Sequence, residues 1–536
     1  MEEKYALISL SDKTNLEYLV KNLINNNYQI IATTSTAKTI KDFGFDCQLV
    51  EDITAFPEML GGRVKTLQPQ IHGGILADLS NDSHLEDLNK YGINPISLVV
   101  CNLYPFEQVL IDENKRHERI IEEEASTMEI VESAAQMTNN LIENIDIGGV
   151  TLIRAAAKNY KHVGILCNPN DYDEYVTRLR LNEVTIAYRK SLAMKGFIHT
   201  ANYDSMIANF FMNSEYENSE QIDQLLISAP LKQKLRYGEN PHQEAYYFES
   251  NHKSSYSLNT SKLLQGKELS YNNLLDIDAA YHAIFEFDMP CAIALKHNTP
   301  CGIGFATNIK QAYEACYKVD EVSIFGGIVI FNRGVDVDLA KKLNEIFLEI
   351  VIAPEYTSDA LKEFSIKKNL RVIEGNFSKD SYFDYQLKSI TGGFLSQRAH
   401  NDEIDFKVVT NKEVTNEMKN DLLNLFKAVK NVKSNAIVIG QEKAILGISG
   451  GMVSRVDAVE FALKKTLNNE VYDKSKPLLL ASDGFFPFND IVDYAIKHNI
   501  KYLIHPGGSL NDEKLIAACN ENDINMIFTN IRFFRH

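Results

Sequence analysis

The sequence predicts an α/β protein built from at least two domains. Residues 5–10 and 29–33 are strand-length apolar runs, and each is followed by a hydroxyl-rich loop and a segment with helical spacing of apolar residues. Strand, loop and helix in repeated order are typical of a parallel sheet covered by helices. The chain has 536 residues, which is too many for one hydrophobic core, so two or more domains are expected.

The composition argues against nucleic-acid and membrane partners. The chain carries 55 Lys and Arg residues against 72 Asp and Glu residues, a formal net charge of −17, whereas a nucleic-acid partner requires a basic surface. No apolar run is long enough to cross a membrane, and the first residues do not form a signal peptide. The seven cysteines are scattered and odd in number, as in a reduced, cytoplasmic protein.

Three loops of the first half fit a binding site. Ser11 or Asp12 is the expected N-cap of the first helix, and residues 34–36 open the second helix. Such helix N-termini can hold a phosphate, although capping is the commoner use of Ser and Thr. Residues 61–74 contain two glycine pairs, which permit close approach of a ligand, and between them stand Arg63, Lys65, Thr66 and His72.

Further candidates flank an acidic segment. Tyr104 follows the buried-strand run 98–101, and Asp146 precedes a Gly-rich turn that opens a helix containing Lys158. An acid at a helix N-terminus and a lysine on a helix face are the plainer interpretations of the two charges. The polar residues 112–144 predict a surface helix or lid, one face of which could carry Met128, Val131 and Ala135.

A polar, unpatterned stretch at 213–220 predicts the boundary between a domain at 1–215 and a domain at 225–536. The second domain is organised around Lys296 and His297, which follow the apolar run 292–295. Ligands bind at the carboxyl ends of strands in α/β sheets. A bend is needed to aim both side chains at one substrate, because neighbouring residues of an extended chain point in opposite directions.

The residues after this pair carry a second signal. A regular strand is not expected to continue there because of Pro300, Gly302 and Gly304. A solvated lysine and a histidine that caps a turn explain the pair equally well. Pro300 and Cys301 match half of the zinc-deaminase pattern Pro-Cys-x-x-Cys, but Gly304 replaces the second cysteine. No other Cys/His cluster has zinc spacing, so no catalytic metal is predicted.

Several polar or Gly-rich loops of the second half could converge on one pocket, and they lie at 235–243, 265–273, 323–332, 430–435, 447–455 and 481–490. The last loop also contains Phe485, Phe486 and Phe488. These aromatic residues fit a small hydrophobic core as well as they fit a pocket wall.

Eight segments resemble, in the same order, the AICAR transformylase/IMP cyclohydrolase family of purine biosynthesis: GGRVKTLQPQIHGG, NLYPF, NIDIGG…RAAAKN, LRYGENPHQ, KHNTPCG, SNAIV, SDGFFPFND and NIRFFRH. The resemblance implies a methylglyoxal-synthase-like N-terminal domain and a C-terminal domain of two zinc-free cytidine-deaminase-like units. It implies formyl transfer from 10-formyltetrahydrofolate, a co-substrate, to AICAR, followed by closure of formyl-AICAR to IMP. It also implies a homodimer with transformylase sites built across the interface.

The resemblance assigns roles to residues of the C-terminal domain. His297 is expected to accept a proton from the AICAR amine, and Lys296 to stabilise the oxyanion that forms. Asn435 and Asp490 are expected to orient the formyl group and the amine. Other substrate contacts are expected from Arg236, Tyr237, Asn273, Phe325, Gly326, Arg455, Pro487, Phe488 and Arg532.

The resemblance likewise assigns ring closure in the N-terminal domain. Asp146 is the expected base, and the oxyanion and proton are expected to be handled by Lys65, Tyr104 and Lys158. Substrate contacts are expected from Ser11, Lys13, Thr36, Arg63 and Thr66.

The chain departs from the family at four places. Thr34-Ser35 stand where the family has Gly-Gly, Gln68 stands where a His is usual, and residues 122–140 resemble an insertion. Residues 450–452 differ from the usual Gly-x-Gly-Gln. Because the first three places concern ring closure, the main alternative is a transformylase with an impaired cyclohydrolase domain. A third hypothesis is a non-catalytic purine-nucleotide sensor.

Overall fold

The computed structural model describes residues 4–57, 59–122, 126–216, 224–249, 258, 260–377, 385–398 and 403–536. The chain divides into two compact units, Met1–Ser228 and Ala229–His536. Part of the predicted boundary stretch, residues 217–220, and the neighbouring 221–223 lie outside the described residues. Each unit is an α/β structure with its own hydrophobic core.

The described part of the first unit contains one parallel sheet. Its strands are β1 (Lys4–Ser9), β2 (Tyr28–Ala32), β3 (Gln48–Leu49), β4 (Ile96–Cys101) and β5 (Gly164–Leu166), in the order β3-β2-β1-β4-β5. All neighbouring pairs are parallel. The parallel α/β sheet predicted from the first two apolar runs is confirmed, because those runs form β1 and β2.

Helices cover this sheet. They are α1 (Leu16–Asn25), α2 (Thr34–Asp42), α3 (Val50–Thr54), α4 (Pro69–Leu76), α5 (Asp82–Tyr91), α6 (Phe106–Glu122), α7 (Thr127–Glu143), α8 (Gly148–Lys158), α9 (Tyr172–Arg180) and α10 (Ile186–Tyr216). On α1, the buried apolar residues Leu16, Leu19, Val20 and Leu23 have the spacing of one helical face. This face joins the core that contains Leu7, Ile8 and Val99.

The predicted N-cap of α1 is wrong. The helix begins at Leu16, and its N-cap is Asn15, whose φ of 58° is left-handed. The Asp12 carboxylate instead accepts hydrogen bonds from the Thr14 N–H at 2.9 Å and the Thr14 hydroxyl at 2.7 Å. This local turn competes with helix formation, so the chain enters the helix three residues later than Asp12 suggests.

The acidic segment forms two surface helices, α6 and α7, which pack on each other. Residues 123–125 of the predicted acidic run lie outside the described residues. Met128 and Val131 share a face of α7, but that face is exposed to solvent. The exposed fraction is 71% for Met128 and 62% for Val131. The contacts between the two helices are partly polar, because Asn140 Nδ2 donates to Glu113 Oε1 at 2.8 Å.

The second unit contains two mixed six-stranded sheets and two hairpins within its described residues. The strands are β6 (Leu231–Leu235), β7 (Ala245–Phe248), β8 (Lys262–Gln265), β9 (Cys291–Lys296), β10 (Thr299–Phe305), β11 (Ile328–Phe331), β12 (Ile350–Ala353), β13 (Arg371–Glu374), β14 (Tyr385–Ile390), β15 (Gly393–Arg398), β16 (Lys407–Val408), β17 (Ile437–Gln441), β18 (Ala444–Ser449), β19 (Leu478–Ser482), β20 (Ile500–His505) and β21 (Asn525–Phe528). The helices are α11 (Tyr271–Ile284), α12 (Ile309–Val319), α13 (Val337–Asn344), α14 (Ser358–Phe364), α15 (Asn416–Lys430), α16 (Arg455–Leu467), α17 (Asp490–Lys497) and α18 (Asp512–Glu521).

The two large sheets repeat one topology. The first has the order β10-β9-β11-β12-β13-β8, and the second has the order β18-β17-β19-β20-β21-β16. Equivalent backbone bonds recur, since Asn332 N–H donates to Cys291 O just as Asp483 N–H donates to Ala436 O. Two units of similar topology are therefore present, and their likeness to cytidine deaminases stays a prediction.

The expectation that no strand follows Lys296 and His297 is wrong. Strand β10 pairs antiparallel with β9, with a shift in register between Pro300 and Gly302. A Cβ at Gly302 would stand 2.3 Å from Cys316 O, and one at Gly304 would stand 2.2 Å from Ala312 O. The glycines therefore let α12 lie directly on β10, and this close packing outweighs their low strand propensity.

Candidate functional site

Lys296 and His297 lie at a tight hairpin turn. Lys296 is the last residue of β9, and His297 and Asn298 connect it to β10 with φ values of 56° and 61°. Two consecutive positive φ values are those of a type I′ turn, which suits a two-residue hairpin. This turn supplies the bend that the sequence required if both side chains are to serve one substrate.

The Lys296 side chain reaches a neighbouring loop. Its Nζ donates to the Phe325 carbonyl oxygen at 2.9 Å. Phe325 is exposed, with its ring centroid 5.6 Å from that of Phe347, and the Gly326 N–H donates to Phe347 O at 2.8 Å. The structure thus brings three of the predicted residues, Lys296, Phe325 and Gly326, into one region.

Asp276, on α11, was missed by the sequence analysis. Its Oδ1 accepts the Asn298 N–H at 2.7 Å. Burial raises the pKa of Asp276. The Asn298 hydrogen bond and the positive charges of His297 and Lys433 oppose this change, but burial has the larger effect. The sequence gives no signal for this contact, because an Asp within a helical run is normally solvated.

Asn435 and Arg455 form a polar cluster at the start of the second large sheet. An Arg455 terminal nitrogen donates to Asn435 Oδ1 at 2.7 Å, and the Asn435 amide nitrogen donates to the Met452 and Val453 carbonyls at 3.0 and 3.1 Å. Arg455 also pairs with the Asp483 carboxylate. These bonds fix the orientation of the Asn435 amide.

The aromatic loop 483–490 divides between core and surface. Phe486 is fully buried in a cluster with Ile491 and Val492, whereas Phe488 is 64% exposed. The Pro487 carbonyl accepts from Asn511 Nδ2 at 2.7 Å. Asp490 begins α17, where its Oδ1 accepts the Ile491 N–H at 2.9 Å. The core interpretation thus holds for Phe486, and Phe488 and Asp490 remain accessible to a ligand.

The buried His505 packs against Phe486 of this loop. The His505 ring lies 4.3 Å from the Phe486 ring and 5.0 Å from the Phe528 ring. Its Nδ1 accepts the Gly507 N–H at 3.0 Å, while its Nε2 has no hydrogen-bond partner among the described residues. Desolvation, helped by the charge of Arg455, lowers the pKa of His505 to about 3.

Four predicted substrate residues lie elsewhere on the second unit. Arg236 is exposed, with its guanidinium 5.7 Å from the Tyr237 ring centroid, and Arg532 is exposed 5.1 Å from the Phe534 ring centroid. Asn273 is buried and completes a capping box with Ser270 at the start of α11. The substrate roles of these four residues stay predictions.

In the first unit, Thr66, Tyr104 and Asp146 meet at the N-terminus of α8. Asp146 Oδ1 accepts the Gly149 N–H at 2.7 Å, and the Tyr104 backbone N–H also bonds to the carboxylate. Burial raises the pKa of Asp146, and these two backbone bonds oppose that change. Thr66 Oγ1 stands 3.0 Å from the position that a Cβ on Gly148 would occupy.

Lys158 ends the same helix. It lies ten residues beyond Gly148 on α8, a rise of about 15 Å. The structure therefore does not place it beside Asp146, and its catalytic role stays a prediction.

A second group of predicted residues surrounds the N-terminus of α2. Lys13 Nζ donates to Ser35 Oγ at 3.0 Å, and Thr36 Oγ1 accepts the Leu10 N–H at 3.1 Å. The Ser11 N–H donates to Asn102 Oδ1 at 2.7 Å. An adjacent pocket is lined by Thr33, Thr34, Val50, Glu51, Phe56, Pro57, Met59, Val64, Lys65 and Gln68. Two of the departures from the family pattern, Thr34 and Gln68, thus line the same pocket as Lys65.

Arg63 is exposed and pairs with Glu143 at the end of α7. Across the residues that the structure describes, no group of three or more His, Cys, Asp or Glu side chains could hold a metal ion. No helix in those ranges is long and apolar enough to cross a membrane.

Comparisons with known proteins cover the whole chain. The family model described as "AICARFT/IMPCHase bienzyme" matches residues 156–465, and the "MGS-like domain" model matches residues 15–131. Proteins named "Bifunctional purine biosynthesis protein PurH" are similar over 99% of this chain. The Oceanobacillus iheyensis protein is 42% identical to this chain, the Persephonella marina protein is 43% identical, and the Clostridium botulinum protein is 44% identical. The match covers 100%, 99% and 100% of the length of these three proteins, respectively.

Proposed function

Because this chain belongs to the AICAR transformylase/IMP cyclohydrolase family, we propose that its first unit closes the purine ring and its second unit transfers the formyl group. The chain is a bifunctional enzyme of purine biosynthesis with formyltransferase and IMP cyclohydrolase activities, and its N-terminal region is methylglyoxal-synthase-like. Its substrates are AICAR, formyl-AICAR and a folate co-substrate, which we take to be 10-formyltetrahydrofolate. The similarity favours this two-step enzyme over a transformylase with an impaired cyclohydrolase.

Formyl transfer is proposed at the Lys296–His297 turn. The AICAR amine attacks the formyl carbon and His297 accepts the amine proton; the bond from that carbon to the tetrahydrofolate nitrogen then breaks as the nitrogen takes up a proton. Lys296 stabilises the oxyanion on the formyl oxygen, and its bond to the Phe325 carbonyl gives the ammonium a defined position. The tight turn between β9 and β10, where the two residues are neighbours, is the observation that supports this assignment.

Asn435, Asp490 and Phe488 are proposed to orient the two substrates. The Arg455 bond and the bonds to the Met452 and Val453 carbonyls hold the Asn435 amide in one orientation, so the second lone pair of its Oδ1 is offered to a ligand in a fixed direction. Phe488 offers an exposed aromatic face, which suits a flat heterocycle.

Ring closure is proposed at the N-terminus of α8. The carboxamide nitrogen of formyl-AICAR attacks the formyl carbon, and loss of water then completes the aromatic ring. Asp146 acts as the base. Burial raises its pKa toward the pH at which the enzyme works, and this makes the carboxylate a stronger proton acceptor. Lys65, Tyr104 and Thr66 act on the oxyanion and substrate, while the N-terminus of α2 with Lys13 and Ser35 holds the phosphate.

Several finer points are part of the same proposal. Neither step is assigned a catalytic metal, because Gly304 replaces the second cysteine of the zinc pattern. The family resemblance supports a homodimer with transformylase sites across the interface. The scattered free cysteines support a cytoplasmic enzyme. No nucleic-acid or membrane partner is proposed.

The test is a coupled assay of the purified protein with AICAR and 10-formyltetrahydrofolate. Formyl-AICAR and IMP are separated by chromatography and followed over time. IMP is expected as the main product with little free intermediate. Absence of any formylated product would refute the proposal, and accumulation of formyl-AICAR without IMP would select the impaired-cyclohydrolase alternative. Loss of turnover in Lys296→Ala would reject the nucleotide-sensor hypothesis.

A further inference from the structure

We propose that Asp276 is a positioning residue for formyl transfer, which holds the His297–Asn298 turn in place and supplies a negative charge that faces His297. This inference rests on the proposed role of His297 as the proton acceptor. Asp276 lies on α11, outside the Lys-His segment and the other predicted site loops.

The turn requires an anchor because its backbone is unfavourable for one of its residues. His297 has a φ of 56° and Asn298 a φ of 61°. A left-handed backbone is unfavourable for a residue with a Cβ, and Asn tolerates it better than His does. The hydrogen bond from the Asn298 N–H to Asp276 Oδ1 is 2.7 Å long and joins residues 22 positions apart. This hydrogen bond therefore connects the turn to α11, which packs on strands β9 and β11.

The position of Asp276 on α11 makes this anchor firm. Helix α11 packs on β9 and β11, and its buried residues include Asn273, Ile277 and Ala280. Asp276 is half-buried beside this face. Asp278, two residues along the helix, points outward with 70% of its side chain exposed.

The charges that face Asp276 come from two elements. His297 belongs to the β9–β10 turn, and Lys433 belongs to the segment that leads to Asn435 and β17. Both positive charges favour an ionised carboxylate, as does the Asn298 hydrogen bond. Positive charges from the turn that carries the proton acceptor and from the segment that carries Asn435 thus both act on Asp276.

This arrangement has a direct consequence for catalysis. When His297 takes the proton of the AICAR amine, it becomes an imidazolium, whose positive charge acts on the Asp276 carboxylate. That charge develops in the transition state, so a fixed negative charge beside it lowers the barrier without tightening substrate binding. Removing the charge should lower kcat and leave KM nearly unchanged.

The experiment compares Asp276→Asn, Asp276→Ala and Asp276→Glu with the matched control Asp278→Asn on the same helix. The kcat and the KM of formyl transfer are measured separately, and ring closure of supplied formyl-AICAR by the same preparations checks the integrity of the chain. We expect Asp276→Asn to lower kcat about tenfold or more and to change KM less than about twofold. Asp276→Ala should lose more activity, and Asp276→Glu should recover part of it.

The outcomes separate this inference from the proposed function. If wild-type protein transfers formyl groups, His297→Ala does not, and Asp276→Asn retains its kcat, Asp276 has no positioning role. An equal loss in Asp278→Asn would also overturn the inference. If His297→Ala retains full activity, the proposed role of His297 itself is wrong.

Discussion

Replacement of His505 by Gln should make the C-terminal unit less sensitive to acid. His505 is fully buried between Phe486 and Phe528, and its pKa is lowered from 6.5 to about 3. Between these two values the unfolded chain binds a proton that the native chain does not. Stability is therefore unaffected well above pH 6.5, falls as the pH drops below 6.5, and stops falling near pH 3.

The size of the effect follows from the two pKa values. A pH of 5 lies about 1.5 units below the pKa of the imidazole in the unfolded chain. The free energy of unfolding at pH 5 is therefore about 2 kcal/mol lower than at pH 7. The variant His505→Gln keeps an acceptor near the Gly507 N–H and has no titrating group. Its free energy of unfolding should therefore lack this loss.

The assay is urea denaturation followed by circular dichroism at pH 7 and pH 5. The difference between wild type and His505→Gln should change by about 2 kcal/mol in favour of the variant at pH 5. His242→Gln, at an exposed position, is the control and should show no such change. An equal wild-type–variant difference at both pH values would refute the reasoning.

Two further predictions concern packing in the first large sheet of the second unit. Gly304→Ala should lower the free energy of unfolding by about 3 kcal/mol and reduce formyl transfer, because the new Cβ would stand 2.2 Å from Ala312 O. The control is Gly393→Ala, whose Cβ would meet no atom within 4 Å. This control should change the free energy of unfolding in urea by less than about 0.5 kcal/mol. Arg371→Met should cost about 3 kcal/mol in the same measurement, since it leaves the Glu349 carboxylate and two backbone carbonyls without their buried donor, and a loss below about 1 kcal/mol would contradict this.

The sequence predicts the local elements of this fold well. The apolar runs at 5–10 and 29–33 and the run before Lys296 form β1, β2 and β9, because a buried strand needs only its own side chains to be recognised. The Gly-rich turn before α8 is likewise visible, since Gly148 and Gly149 open the helix.

The features that the sequence does not reveal depend on distant partners. Gly302 and Gly304 read as strand breakers, and only the close approach of α12 explains why they belong to β10. Asp276 reads as a surface residue of a helix, and its contact with Asn298 appears only when the turn folds back on α11. The N-cap of α1 was mispredicted because the Asp12 side chain bonds to Thr14 instead of to a helix.

The site residues show the same division. Asn435 and Arg455 were both predicted from motifs, but their mutual hydrogen bond required the structure. Lys158 shares a motif with the Gly-rich turn, yet the length of α8 separates the two. Motif membership thus identifies candidates, and the geometry decides which of them act together.

The central claim is that each of the two units carries one reaction. The most direct measurement assays His297→Ala and Asp146→Asn separately for formylation of AICAR and for closure of supplied formyl-AICAR. His297→Ala should lose formyl transfer by about 100-fold or more and keep ring closure, and Asp146→Asn should show the opposite pattern. Loss of both reactions in either variant, with the protein still folded, would contradict the account.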